Sequence, residues 1–224
     1  MIIIAAQPGT NWFLLRSALN THPQLTFSAD IFNGVTFGRQ LKKAGISYEM
    51  MTEANENFCM EVYDYPDLEG AWPYWNLQTD LQEDLCDNAV EARGVCITRK
   101  DKLAQAIDWF DPHRGLEVKG PPFTVDPIDV AAVIKRFKRA DSMYHRLFSD
   151  RTQVTFEDMD TMLDAVLVNV QQFLDVPHRP LRPQVPIPKI TPLHRRVLNW
   201  NDVVGALKSS KYAEYLEGHR LVRD

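Results

Sequence analysis

The chain has 224 residues, 45% of them hydrophobic and 25% charged, with a mean hydropathy of −0.30; this profile fits an ordinary globular protein and excludes disorder, collagen and extended coiled coil. Lys and Arg number 25 against 30 acidic residues, for a formal net charge of −5. That balance lacks the basic excess that binding to a phosphate backbone needs, so no nucleic-acid partner is expected.

The first apolar run, Ile2 to Ala6, is short, β-branched and closed by Pro8-Gly9, which predicts a buried strand. From Trp12 the pattern turns helical through Phe13, Leu14, Leu15, Ala18 and Leu19, until His22-Pro23 stops it. Gly34 to Ala92 is the least patterned stretch. It carries Tyr63, Tyr65, Trp72, Tyr74 and Trp75 within thirteen residues, a density that suits either a pocket lining or a satellite core. A second strand, Val95 to Thr98, leads through Arg99-Lys100 into a helix from Asp101 to Phe110. There Leu103, Ala106, Ile107 and Phe110 form one apolar stripe. A longer helix is predicted from Pro127 to Phe148, a short strand from Gln153 to Phe156, and a further helix introduced by Glu157-Asp158, whose acidic start suits the positive end of the helix dipole. Six prolines between Pro177 and Pro192 mark an extended loop, and a last amphipathic helix spans Trp200 to Leu216. Strands alternating with helices predict an α/β fold with a central, mostly parallel sheet. No repeat divides the chain, so residues 1–224 are read as one domain.

The three cysteines, Cys59, Cys86 and Cys96, are odd in number and far apart; they read as reduced core thiols, neither a disulfide frame nor a metal site. No apolar run approaches a membrane span, and the opening MIIIAAQPGTNWF lacks a basic n-region. No membrane partner and a cytoplasmic location are therefore expected.

A glycine turn between a buried strand and a helix presents backbone N–H groups at the positive helix end, where an anion binds readily. Gln7-Pro8-Gly9-Thr10-Asn11-Trp12 occupies that place without a Walker A pattern. With no Walker lysine and no evident magnesium-binding aspartate after a strand, an ATP-using kinase is a poor reading.

QPGTNW followed by FLLRSALNTHP resembles the 5′-phosphosulfate loop of sulfotransferases that use 3′-phosphoadenosine 5′-phosphosulfate (PAPS), commonly [KR]SGTTW with a following L..LL..HP. TRKDKLAQAIDWF, residues 98–110, is similar to the family's 3′-phosphate segment, closest to the TRRDKxxQAVS pattern of the bacterial trehalose sulfotransferase branch. The stretch from VDPIDVAAVIKRFKRADSMYHRLFSD to VTFEDM, and the ending from KITPLHRRVLNW to KYAEYL, resemble that branch's long helix, strand-turn and tail. These four segments cover well over half of the chain in the family's order; residues 34–92 are largely unmatched and stand where the acceptor-side excursion would be.

The resemblance implies a P-loop-like three-layer α/β/α fold and transfer of a sulfuryl group from PAPS to a hydroxyl or amine of a small-molecule or carbohydrate acceptor, with 3′-phosphoadenosine 5′-phosphate (PAP) as product and no metal. The amides around Gly9, Thr10 and Asn11, with the Thr10 hydroxyl, would hold the 5′-phosphate and sulfate. Trp12 would stack on adenine or else pack in the sheet core. Arg99 matches the 3′-phosphate arginine, the alternative being a solvated charge. Asp30 matches the branch's catalytic carboxylate and would take the acceptor proton, or else is a surface turn residue. His22 reads better as a helix stop than as a base. Lys189 matches the lysine that opens the tail and would reach the cofactor phosphates, or else is a loop charge. A homodimer is carried over from the trehalose branch alone.

Three positions depart from the pattern. Gln7 stands where the family has Lys or Arg, which leaves the loop short of a cation unless Arg16, Lys189 or Arg195 substitutes. Pro8 replaces Ser and removes a hydroxyl and a backbone donor. Asp108 stands where the family has the Ser that bonds the 3′-phosphate; a carboxylate there repels phosphate, so either it turns to solvent or pairs with a nearby cation, or the nucleotide is held differently, or its affinity is poor. These losses motivate the alternative of a catalytically inactive sulfotransferase-like binding protein.

Overall fold

The computed structural model describes residues 2–7, 9–27, 58–61, 93–112, 120–185, 191–217 and 219. Four strands, β1 (Ile2–Ala6), β2 (Phe58–Glu61), β3 (Arg93–Thr98) and β4 (Asp150–Thr155), form one sheet in the order β2-β1-β3-β4. All pairings are parallel, with Ile4 opposite Cys59 on one side and Val95 on the other, and Val95 opposite Thr152. β1 is apolar throughout because both of its faces are covered, and Ile3, Ile4 and Ala5 are fully buried. β4, DRTQVT, buries only Val154. This explains why an apolar pattern marked just its C-terminal half.

Helices cover both faces. On one, Ile4, Ala6, Val95, Ile97 and Val154 pack with Leu15, Ala18 and Leu19 of α1 (Trp12–Leu19) and with Val166, Leu167 and Val170 of a helix over Phe156–Phe173. On the other lie α2 (Lys102–Phe110) and α3 (Pro127–Leu147), the Phe156–Phe173 helix being α4 and the next, Trp200–Lys208, α5. Leu103 and Ile107 of α2, Val130 and Ile134 of α3, and Val203 and Leu207 of α5 share one cluster there. The hydroxyl of Tyr144 ties α3 to the sheet by donating to Ile97 O at 3.0 Å. The expected three-layer α/β/α architecture around a parallel sheet is the one found.

The helix boundaries follow from their caps. Asp101 accepts from Ala104 N at the start of α2, Asp126 precedes Pro127 and accepts from Ile128 N, and Thr155 accepts from Asp158 N. The Glu157 carboxylate takes the backbone N–H groups of Lys100 and Asp101, at 3.0 and 2.9 Å, so the first turn of α4 holds the turn between β3 and α2.

Two expectations are corrected. The helix expected from Trp200 to Leu216 breaks after Lys208: Ser210 Oγ donates to Leu207 O and accepts from Tyr212 N, and the chain resumes as a 3₁₀ turn over Ala213–Leu216. β2 lies inside the stretch that showed no pattern, because FCME is too short to display a period of two. The rest of residues 34–92, and residues 186–190 of the proline-rich loop, lie outside the described residues, as do Cys86, Pro8, Asp30 and Lys189. Cys96 is a buried free thiol that burial pushes up to a pKa of about 12. No helix among the described residues is long and apolar enough to cross a membrane.

Candidate functional site

The connection from β1 leads to β2 on one side of the sheet, and that from β3 leads to β4 on the other. Their carboxyl ends therefore diverge between β1 and β3, the place where open α/β sheets bind ligands. Two sequence-predicted segments meet there: the loop from Gln7 to Asn11, which continues the sheet through Gln7 N donating to Ile97 O, and Arg99, one residue past β3.

Gly9 has φ 73° and Asn11 φ 50°, so left-handed residues punctuate the loop before α1 begins at Trp12. The side chain of the N-cap residue, Asn11, makes no capping hydrogen bond to α1. Asn11 thus differs from Asp101 and Thr155, whose side chains cap α2 and α4, and Leu14 N donates to Asn11 O at 2.9 Å; the positive end of α1 faces the loop, where an anion is favoured. Thr10 is fully buried, and its hydroxyl donates to Gln7 O at 2.6 Å, closing the loop on itself. Trp12 lies in the core cluster at 9% exposure, with the Arg16 guanidinium 5.3 Å from its ring centroid.

Gln7 points into the protein and is 0% exposed. Its amide donates to Phe137 O at 3.0 Å and to Asp141 Oδ1 at 2.6 Å, and its oxygen accepts from Lys102 Nζ at 3.2 Å and Gln105 Nε2 at 2.9 Å. All four hydrogen-bonding positions of the side chain are filled inside the fold. Lys102, itself buried, pairs with Asp141 at 2.9 Å and also reaches Gln105 Oε1. Burial pushes the Asp141 carboxyl above its ordinary range and the Lys102 ammonium below its own, and the pairing offsets part of each. A buried ammonium thus stands behind the loop position where the sequence lacks a cation.

Arg99 is 5% exposed, its guanidinium 4.2 Å from the Phe156 ring centroid, and its NH1 donates to Gly9 O at 2.9 Å. It is not the solvated charge of the alternative reading. The same nitrogen pairs with Asp108 Oδ2, and the other oxygen of Asp108 pairs with NH1 of Arg196, whose NH2 reaches Asp111 Oδ2 at 2.9 Å. Burial works against the charge on Arg196, but Asp108 and Asp111 outweigh it and raise its pKa. Two guanidinium groups and two carboxylates make a formally neutral cluster beside the loop. Among the described residues the buried Nε–H of Arg99 has no partner, which leaves it a donor for an acceptor atom.

His22 is buried with both ring nitrogens engaged, Nε2 with Pro177 O at 2.9 Å and Nδ1 accepting from Gln24 N at 3.1 Å; this is a structural role. Arg195 is exposed, and its neighbour Arg196 is the residue that reaches the site. Sequence reasoning missed Arg196, Lys102, Gln105 and Asp141. A signal existed for Asp141: the α3 stripe Val130, Ile134, Phe137, Tyr144 skips the one position, 141, that completes its helical spacing.

The sulfotransferase from Alicyclobacillus acidocaldarius shares this fold, with a TM-score of 0.56 over 96% of this chain and 92% of that chain at 9% identity. The sulfotransferase domain from the curacin biosynthetic pathway aligns with a TM-score of 0.48 and 14% identity, covering 100% of this chain and 92% of that one. No family description matches the sequence, and no curated protein matches it significantly. At 9% identity the likeness to the Alicyclobacillus protein is one of fold.

Proposed function

We propose that this chain is a sulfotransferase that moves the sulfuryl group of a PAPS-type nucleotide to a hydroxyl or amine of a small-molecule or carbohydrate acceptor. The observation that carries the reading is the meeting of the Gly9–Asn11 turn, the start of α1 and the buried Arg99 at the sheet's switch point, in a fold shared with a solved sulfotransferase. The bound donor supplies an activated sulfur. As the acceptor oxygen bonds to that sulfur, the sulfur–oxygen bond to the 5′-phosphate breaks and its electron pair stays on the phosphate. The loop amides and the start of α1 then face the developing negative charge. The Asp30 carboxylate takes the acceptor proton in this reading, a role that rests on the resemblance alone.

The test is calorimetric titration with PAP and with adenosine 5′-phosphate, with ATP-magnesium as control, followed by transfer of labelled sulfate to a panel of acceptors. Binding of an adenosine nucleotide but not of ATP-magnesium supports the reading; binding of neither nucleotide overturns it. Asp30→Asn keeps nucleotide affinity and lowers turnover by about 10²–10⁴-fold, whereas an unchanged rate removes Asp30 from the mechanism.

One observation favours the alternative of a non-catalytic relative: both arginines beside the loop are neutralised by the chain's own carboxylates. Nucleotide binding with no sulfuryl transfer to any acceptor, unimproved by Asp108→Ser, favours it.

A further inference from the structure

We infer that Asp108 makes the subsite beside the loop a reader of a free ribose hydroxyl, so that the nucleotide this chain takes carries no phosphate at that position. The inference rests on nucleotide binding at the loop, as proposed above.

Asp108 stands against the loop: a Cβ placed on Gly9 would lie 3.5 Å from Asp108 Cβ. Its carboxylate is gripped from both sides, one oxygen by Arg99 and the other by Arg196. Of the three side chains it is the most open, 24% exposed against 5% for Arg99 and 19% for Arg196. A ligand group reaching past Gly9 therefore meets the carboxylate before the guanidiniums. An ionised carboxylate only accepts hydrogen bonds, and with one guanidinium N–H on each oxygen it keeps lone pairs for a hydroxyl donor. A phosphate in the same place meets a like charge, and the two cations that would hold it are already paired, Arg196 with Asp111 as well. The carboxylate cannot swing aside cheaply, because that would leave the buried Arg99 charge without its counter-ion. The same logic separates dinucleotide sites in which an acidic residue bonds a ribose hydroxyl from those in which an arginine takes a ribose phosphate. The donor that fits is a nucleoside 5′-phosphosulfate with an unphosphorylated ribose, leaving the nucleoside 5′-phosphate as product.

Adenosine 5′-phosphate and PAP, titrated calorimetrically into the wild type, Asp108→Ser and Asp108→Asn, test this. The expected result is wild-type affinity for adenosine 5′-phosphate about tenfold or more above that for PAP, a gap on the scale of one charge-assisted contact. Both variants should narrow or reverse the preference. Wild-type protein that binds PAP as tightly as adenosine 5′-phosphate, or tighter, overturns the inference while leaving the sulfotransferase reading in place. Failure of both nucleotides to bind any of the three proteins overturns both. The wild-type comparison decides the question even if neither variant folds.

Discussion

Gln7 shows how a residue type can mislead when its direction is unknown. In the sequence it is a loop residue short of a charge; in the fold it is a buried staple between the loop, α2 and α3. Restoring a cation by Gln7→Lys should therefore fail. The new ammonium would sit beside Lys102, and Gln105 and Lys102 would lose their shared acceptor. We expect a loss of about 2 kcal/mol or more in urea denaturation with no gain in nucleotide affinity; a stable variant that binds nucleotide more tightly would contradict the placement. Asp141→Asn tests the same cluster by pH. It leaves the Lys102 ammonium without its counter-ion, at a cost of about 2–3 kcal/mol near neutral pH, below that of a fully enclosed pair because 33% of the Asp141 side chain is exposed. Burial already depresses the Lys102 pKa, and the variant depresses it further. The native state then binds fewer protons than the unfolded chain between the folded pKa and the ordinary lysine value, so stability rises with pH across that window. The variant's deficit should shrink from about pH 7 to about pH 9.5, and a deficit constant over that range would show that Lys102 is not the group left unpaired. Arg99 was legible as a cation at a strand end, and Asp108 only through the resemblance that sets it where the family has a serine. The pairing of Asp108 with a cation was one of several outcomes that the sequence left open, and Arg196 was hidden because chain position alone does not say which of two adjacent arginines turns inward.

At the scale of elements, long apolar stripes were readable and short or half-buried ones were not. α1, α2 and α3 bury most of the face that their spacing marks, although Phe13 of α1 is exposed and Phe110 of α2 only half-buried, and β1 and β3 are largely apolar because helices cover both sides. β2 escaped notice for want of length, and the first half of β4 because its side chains face polar surroundings or solvent. Packing between elements leaves signals that no periodicity carries. Gly94 in β3 has no room for a side chain: an added Cβ would lie 2.6 Å from Phe148 Cδ2, just past the end of α3. Gly94→Ala should cost about 1–3 kcal/mol by overpacking, and Phe148→Leu in the same chain should recover part of the loss. If Gly94→Ala denatures at the wild-type urea midpoint, the close approach of β3 and Phe148 is wrong.

At the scale of the whole molecule, the sheet order puts two diverging connections side by side, and the loop and Arg99 gain meaning only from that juxtaposition. The sequence revealed both segments but not that Gly9 O and Arg99 bond to each other, nor that the chain supplies its own carboxylate between two arginines. That neutral cluster is the main departure from a simple anion site, and it sets what the site should accept. The most direct test of the account is hydrogen–deuterium exchange of the backbone amides with and without saturating adenosine 5′-phosphate or PAP. The account predicts slowed exchange at residues 9–14, where the loop enters α1, and at residues 99–105, where β3 enters α2, with little change in α5. Unchanged exchange in both segments under conditions where nucleotide binds, or protection confined to another part of the chain, would contradict the placement of the site.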